Sequence, residues 1–297
     1  MSLPLHIALV PYGINISASE ITAVAATLSK QVERDFGPIW NIYATVNAFV
    51  RLEDIPIDYW PIIIASNVQG AEGYHEDSNG QPFSVVAYQQ GWSITASHEL
   101  LEMITDPFGR LTRAGNLLDQ AILLGFAPQR VLYLVEVCDP CEGEPYSYEI
   151  NGIKVSDFYT PGFFDPIKVP GVRYSFTGAI DAPRKVLDGG YISWLDLNLN
   201  NVFQLRMFPD AFSNKAHVLN LSTGITHGNL SKTTNLRSAI DGITHPHGFK
   251  KKKSKLPKSG AEHIFKNAFS QQQDARAHNL KNLVSDLVNS ASGSKRP

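Results

Sequence analysis

Cysteine is nearly absent from this sequence, since Cys138 and Cys141 are the only two among 297 residues. A stabilising framework of disulfides is therefore excluded. Long apolar runs are also missing, because none approaches the ~20 residues that a membrane-spanning helix needs. The first residues, MSLPLHIALVPYG, have neither a positively charged start nor a small-residue cleavage site, so they lack the pattern of a secretory signal. We expect a soluble, cytoplasmic protein without a membrane span.

Positive charge is scarce in the longer, N-terminal part of the chain. Met1 to Asn214 carries 12 Lys and Arg against 24 Asp and Glu, a net charge of −12. Lys215 to Pro297 carries 14 against 4, a net charge of +10, and the two parts sum to the −2 of the whole chain. An acidic body with a basic tail is an asymmetry that often marks an interaction segment.

The pattern of apolar residues predicts an α+β domain over residues 1–212. Ser17 and Glu20 have the spacing of a capping box and open an amphipathic helix that stops before Gly37. The polar, glycine-containing stretch 69–81 is predicted to be a loop, and the next helix begins at Trp92. Runs rich in β-branched, aromatic or continuously apolar residues predict strands at 5–12, 40–50, 60–68, 82–89, 130–137 and 146–155.

The basic tail divides into two predicted parts. Residues 213–260 are predicted to be a partly flexible linker that contains the lysine run 250–258. Residues 261–290 have the apolar periodicity of an amphipathic helix. The lysine run has the charge to bind nucleic acid, anionic lipid or an acidic protein surface. Because this protein's own body is acidic, we favour self-association or a protein partner over nucleic acid.

The stretch WSITASHELLEMITDP places a histidine and several acids inside an apolar helix. On a helix His98 and Glu102 are one turn apart and project from the same face, so both can hold one Zn2+. Glu99 lies about 100° around the helix from His98, where it can act as a general base on a water in the site. The alternative is a helix with an acidic solvent face and a buried histidine.

A catalytic zinc site needs a further protein ligand, and several residues are candidates. Asp106 lies one turn beyond Glu102 and precedes Pro107, which favours a helix end there. It could replace Glu102 as the second ligand or orient His98. In the later stretch VEVCDPCE we favour Asp139 or Glu136. Weaker candidates are Asp157 and His217.

Other residues allow competing interpretations. Cys138 and Cys141 have the spacing of half a zinc knuckle, but no second pair completes it, and we favour a tight turn with structural cysteines. A tyrosine hydroxyl could stabilise an oxyanion, although nothing in the sequence selects one. The candidates are Tyr146, Tyr148, Tyr159 and Tyr174.

The stretches SHELLEMITDP and EVCDPCE resemble a bacterial and fungal zincin-like family with an S-H-E-L-x-E-x-x-T-D-P motif and a downstream E-x-x-D-x-C motif. Its members are generally taken to be metallopeptidases, and the strand–helix–strands–helix order of this chain is that of zincin proteases. The resemblance implies a zincin-like mixed sheet with an active-site helix, and it extends from about Leu5 to Gly190 but does not reach the tail. In that fold, the strand before the helix is an edge strand along which a peptide can pair.

Together these patterns predict a zinc-dependent metallopeptidase that hydrolyses a peptide or protein substrate. His98, Glu102 and a downstream carboxylate would hold the Zn2+, and Glu99 would be the general base. The alternative is a zincin-like binding or assembly protein without turnover that acts through its basic tail.

Overall fold

The computed structural model describes residues 4–56, 58–66, 68, 72–78, 80–210 and 213–223. The predicted amphipathic helix at 261–290 and the linker from residue 224 onward lie outside these residues. Strands and helices are interleaved, which confirms the α+β class. The strands are β1 Leu5–Tyr12, β2 Ala44–Ala48, β3 Tyr59–Ala65, β4 Gly73–Ser78, β5 Gln81–Ala87, β6 Thr112–Asn116, β7 Arg130–Leu134, β8 Tyr148–Ile150, β9 Ile153–Val155, β10 Tyr191–Asp196, β11 Asn201–Arg206 and β12 His217–Asn220.

The helices fall mainly in the first half of the described chain. None of them is long and apolar enough to cross a membrane, in the part of the chain that the structure describes. They are α1 Ala18–Lys30, which runs into a π-helical segment Gln31–Phe36, α2 Gly37–Trp40, α3 Trp92–Thr105 and α4 Asp119–Leu123, with short 3-10 turns at Leu52–Asp54, Asp139–Cys141, Glu144–Tyr146, Pro161–Phe164 and Leu221–Thr223.

The first sheet has the strand order β2-β1-β3-β5-β4 and carries α1 and α3 on one face. Its first four strands are parallel, and β4 is an antiparallel edge strand on β5. Residues Ile7 to Val10 are fully buried because both faces of β1 are covered. Ile7 and Leu9 face the helices, whereas Ala8 and Val10 pack in a second apolar cluster on the opposite face.

A second sheet of five antiparallel strands has the order β12-β11-β10-β7-β6. Four of its strands, β6, β10, β11 and β12, have no counterpart in the sequence predictions. β12 lies at residues 217–220, so this sheet extends past the predicted domain boundary at residue 212. β8 and β9 form a separate hairpin whose turn residues, Asn151 and Gly152, both have positive φ. Such a turn suits the twist of the two strands.

The first long helix differs from the prediction at its end. Instead of stopping before Gly37, the helical backbone continues through a π-helical segment and α2 to Trp40. Pro38, which has no N–H, lies where the π-helical segment passes into α2. Asn41 then ends the helix in a left-handed conformation, and the strand predicted at 40–50 is confined to β2.

The prediction that the strand before α3 is the edge strand is wrong. β5 precedes α3, but it lies between β3 and β4 inside the sheet. The edge strands are β2 and β4, and the sequence assigned β4 to the loop 69–81. The polar residues of β4 suit an edge strand, because such strands commonly carry charged side chains that oppose aggregation.

A buried hydrogen-bond network fixes α3 against the π-helical segment. The Ser97 hydroxyl donates to Gln31 Oε1 at 2.7 Å and accepts from the Ser156 N–H at 3.0 Å. Gln31 Nε2 donates to the Ser156 carbonyl at 2.9 Å. All three residues are almost fully buried, so removing one partner leaves polar groups without water or protein to bind.

We predict that Ser97→Ala lowers the free energy of unfolding by about 1–3 kcal/mol, because Gln31 Oε1 and the Ser156 N–H lose their shared partner. Urea unfolding followed by circular dichroism measures the change. Ser19→Ala, at an exposed position of α1, is the matched control. Equal midpoints for the two variants would show that the network adds nothing to stability.

Candidate metal centre

Helix α3 directs two of the predicted ligands to one point. His98 Nε2 lies 3.2 Å from Glu102 Oε2, as their spacing of one turn predicts. The other oxygen of the carboxylate, Glu102 Oε1, accepts a hydrogen bond from the Cys138 N–H at 3.1 Å. One oxygen of Glu102 is therefore held by the backbone, which leaves Oε2 directed toward the imidazole.

The 3-10 turn after β7 brings a third ligand to the same point. Asp139 Oδ1 lies 3.2 Å from His98 Nε2. Glu136, the other carboxylate that the sequence favoured, lies elsewhere, with its Oε2 4.0 Å from His75 Nε2. Of the two, Asp139 is the one that the structure places beside His98. We define His98, Glu102 and Asp139 as the His98 cluster.

The two distances from His98 Nε2 suit a zinc ion. A tetrahedral zinc with bonds of about 2.0–2.2 Å sets its ligand atoms about 3.3–3.6 Å apart. The two distances of 3.2 Å, to Glu102 and to Asp139, are close to that value. Imidazole nitrogen and carboxylate oxygen are both normal zinc ligands. The groups whose ligand atoms all lie within 4.8 Å of one another take the two carboxylates separately: His98 and Glu102 group with Cys138, and His98 and Asp139 group with Glu142, which is a further candidate ligand.

Burial and neighbouring charges shift the pKa values of His98 and of the nearby Glu142. Burial by itself would lower the pKa of His98, but the charge of Glu102 and hydrogen bonds with Asp139 and Glu102 raise that pKa well above its ordinary value. Burial raises the pKa of Glu142, and the charges of Asp139, Glu102 and Glu99 add to the increase while His98 opposes it. Repulsion between closely spaced, buried acids is relieved when a metal ion binds among them.

A second histidine, His75, lies beside the His98 cluster and was missed by the sequence prediction. Its Nδ1 is 3.4 Å from Glu99 Oε2 and 3.8 Å from Glu102 Oε2. In the β4–β5 ladder His75 is opposite Ser84, whose hydroxyl donates to Met103 of α3, so both residues face that helix. The Asn79-Gly80 dipeptide, a strong hairpin signal, could have revealed β4 and hence His75.

Glu99 reaches this position because α3 lies unusually close to β4. A Cβ on Gly73 would lie 2.7 Å from Thr95 Cγ2 and 2.9 Å from Glu99 Oε1. Any other residue at position 73 would therefore push the helix or the Glu99 carboxylate away. Glycine is needed at position 73 because there is no room for a Cβ, and its backbone angles would allow other residues.

Cys138 and Cys141 are both buried and free. Burial raises the pKa of each thiol well above its ordinary value, and nearby carboxylates add to the shift. Cys138 groups with His98 and Glu102 at a spacing that could hold a metal, but its Sγ points to the His98 carbonyl at 3.9 Å. The turn at Asp139–Cys141 agrees with the structural role that the sequence favoured.

Asp106 is not among the residues that the structure brings to the site. It follows the last residue of α3, and its carboxylate accepts the backbone N–H of Arg110 at 3.0 Å and of Leu111 at 2.7 Å. The prediction of Asp106 as a ligand therefore has no geometric support, because its carboxylate oxygens hold the turn after the helix. The reason is local: the chain reverses after Pro107 and needs acceptors for these two N–H groups.

The two weaker ligand candidates also lie elsewhere in the structure. Asp157 accepts hydrogen bonds from the N–H and hydroxyl of Thr177 at 3.0 and 2.7 Å. His217 belongs to β12, where its Nε2 is 3.2 Å from Asp210 Oδ1.

Tyr159 is the one tyrosine of the four candidates whose pKa is raised by the charges of Glu136, Glu102 and Asp139. Burial raises its pKa well above the ordinary value, and the charges of Glu136, Glu102 and Asp139 raise it further. Its hydroxyl is buried, and no residue in the described ranges offers it a hydrogen-bond partner. Tyr159 therefore keeps its proton at neutral pH and can donate it in a hydrogen bond to a molecule that enters the site.

Comparison of the chain with protein-family models, with curated proteins and with solved structures gives no match in any of the three. The resemblance of the SHELLEMITDP and EVCDPCE stretches to a zincin-like family therefore stays an expectation.

We predict that Asp139→Asn weakens zinc binding by at least about tenfold, because the amide removes the charge next to His98. Asp106→Asn is the matched control, and its zinc affinity should equal that of the wild type, although its stability falls. Equilibrium dialysis followed by elemental analysis measures both. If the two variants lose zinc affinity equally, Asp139 is not a zinc ligand.

Proposed function

We propose that this protein is a zinc-dependent metallopeptidase built on a zincin-like α+β scaffold. The observation that carries the proposal is the convergence of Glu102 Oε2 and Asp139 Oδ1 on His98 Nε2, each at 3.2 Å. The three side chains come from a helix and a separate turn, so the fold brings them together. A histidine and two carboxylates leave a position open for water or substrate when they hold one zinc ion.

Glu99 is the proposed general base. It follows His98 on α3, and its side chain extends between the helix and β4, next to the His98 cluster. A zinc ion in the cluster would make water nucleophilic at neutral pH and would polarise the scissile carbonyl. The Glu99 carboxylate then accepts the proton of the attacking water and passes it to the leaving amine.

Tyr159 is the proposed hydrogen-bond donor to the substrate oxygen. Its hydroxyl is buried, has no hydrogen-bond partner among the described residues, and is influenced by the charges of Glu102 and Asp139, two of the proposed metal ligands. A preorganised donor stabilises the negative charge that develops on a carbonyl oxygen during attack. The structure thus gives a reason to select Tyr159 where the sequence left four tyrosines open.

The position of β4 supports an extended peptide as the substrate. β4 is an edge strand of the first sheet and packs directly against α3. Extended peptides commonly bind by adding a strand to such an edge. A peptide lying along β4 would pass close to Glu99, which is the arrangement that hydrolysis of a peptide bond needs.

A zincin-like protein without turnover is the second candidate. The low exposure of the site favours it, since the side chain of His98 is 12% exposed and that of Asp139 is 4% exposed. Closed metal sites are typically structural, whereas catalytic sites keep a position open. The predicted action through the basic tail lies outside the described residues and stays a prediction.

We predict that Glu99→Gln keeps the fold and one zinc per chain but lowers peptide hydrolysis by at least about 100-fold, because the amide cannot accept a proton. Cleavage of a fluorescently labelled unfolded protein measures the rate, and dialysis with elemental analysis measures the zinc. Glu149→Gln, at an exposed position of β8, is the matched control.

Two results would contradict this prediction. Undiminished hydrolysis by Glu99→Gln would exclude Glu99 as the base. Absence of zinc-dependent hydrolysis in the wild type over a broad set of unfolded substrates would favour the scaffold without turnover.

A further inference from the structure

A second set of ligand atoms shares Glu102 with the His98 cluster. His75, Glu99 and Glu102 are all buried, and their ligand atoms lie within 4.8 Å of one another. We infer that these three residues form a second, weaker site for a divalent cation, and that a cation bound there inhibits the protein.

The distances support a cation between these three side chains. His75 Nδ1 lies 3.4 Å from Glu99 Oε2 and 3.8 Å from Glu102 Oε2. The shorter distance falls within the ~3.3–3.6 Å between ligands of a tetrahedral zinc, and the longer one is slightly wider. Both distances are longer than the two of 3.2 Å that separate His98 Nε2 from Glu102 and Asp139, so the carboxylates approach the histidine less closely in the second site.

Glu102 is shared by the two sites. Its Oε2 faces both imidazoles, at 3.2 Å from His98 Nε2 and 3.8 Å from His75 Nδ1. The Cys138 N–H fixes Oε1 of the same carboxylate, so Glu102 cannot turn away from either histidine without losing that hydrogen bond. A single carboxylate held between two imidazoles can be a ligand to two cations.

The charge of the whole site also favours a second cation. Its acids are Glu99, Glu102, Glu136, Asp139 and Glu142, and its bases are His75 and His98. Oε2 of each of Glu99, Glu102 and Glu136 lies within 4.0 Å of a ring nitrogen of His75. Buried charges are costly unless they are paired or coordinate a metal, so a second cation would stabilise this group.

Tyr159 provides an independent indication that the region binds something. Its side chain is fully buried, yet its hydroxyl has no hydrogen-bond partner among the residues that the structure describes. After burial, the charge of Glu136 contributes most to raising the pKa of Tyr159, and Glu136 Oε2 lies 4.0 Å from His75 Nε2. Buried polar groups are normally hydrogen-bonded, so the hydroxyl indicates a bound water or ion in this part of the site.

The second site contains the proposed general base. A cation held by the Glu99 carboxylate takes the lone pairs that would otherwise accept a proton from water. Occupancy of this site therefore stops hydrolysis, and excess metal inhibits the enzyme that one metal ion activates. The inhibition rests on the proposed function, but the second site itself does not.

Zinc binding to the full chain tests the second site directly. Equilibrium dialysis over rising Zn2+ concentration should give two cations per wild-type chain, with the second bound at least about tenfold more weakly than the first. His75→Asn should bind one. His6→Asn, at an exposed position of β1, is the control and should bind two. A wild-type chain that saturates at one cation, or a His75→Asn variant that still binds two, would overturn the inference.

Titration of the wild type with Co2+ is a second measurement, and it does not require any substituted protein to fold. Absorption spectra of the wild type titrated with Co2+ should change in two steps, because the two sites have different ligands. A single step, complete at one equivalent, would overturn the inference. If the protein hydrolyses peptides, its rate should rise with the first equivalent of zinc and fall with the second.

The outcomes separate this inference from the proposed function. Two cations bound by a protein that hydrolyses nothing would support the second site and overturn the proposed function. Zinc-dependent hydrolysis that needs Glu99, with one cation bound at saturation, would support the function and overturn the second site.

Discussion

Repulsion among buried carboxylates is the constraint on which the site depends. Glu99, Glu102, Glu136 and Asp139 are nearly inaccessible to water, and His75 and His98 are the bases that lie among them. Such a group of like charges destabilises a folded protein unless cations offset it. The rise in the pKa of Glu142, caused by burial and neighbouring acids, is a visible consequence. Metal binding would therefore stabilise the protein as well as supply chemistry.

The scaffold holds these charges in place with contacts that involve no metal. Ser97 ties α3 to the π-helical segment through Gln31, and the Cys138 N–H holds one oxygen of Glu102. Gly73 lets the helix approach β4 closely enough for Glu99 to reach His75. Because each contact fixes a backbone or a side chain next to a ligand, the site is preorganised before any ion binds.

The local geometry of the helix followed from the sequence. The spacing of His98 and Glu102 predicted a common helix face, and the 3.2 Å between their side chains agrees with it, whereas the contact of Glu99 with His75 had no counterpart in the sequence predictions. The choice between Asp139 and Glu136 could not be made from the sequence, because it depends on how the 3-10 turn at Asp139 packs against α3. Asp106 was assigned to the site because it continues the helix periodicity, but the helix ends before it and its carboxylate holds the following turn.

Helix periodicity, the α+β class and the common helix face of His98 and Glu102 follow from the sequence alone, because they depend on local patterns of residues. Tertiary structure decided that β4 is an edge strand, that His75 faces Glu99, and that the charges of Glu136, Glu102 and Asp139 act on Tyr159. Each of these relations joins residues far apart in the chain. They depend on strand order and on the closeness of α3 to β4, which no local pattern in the sequence contains.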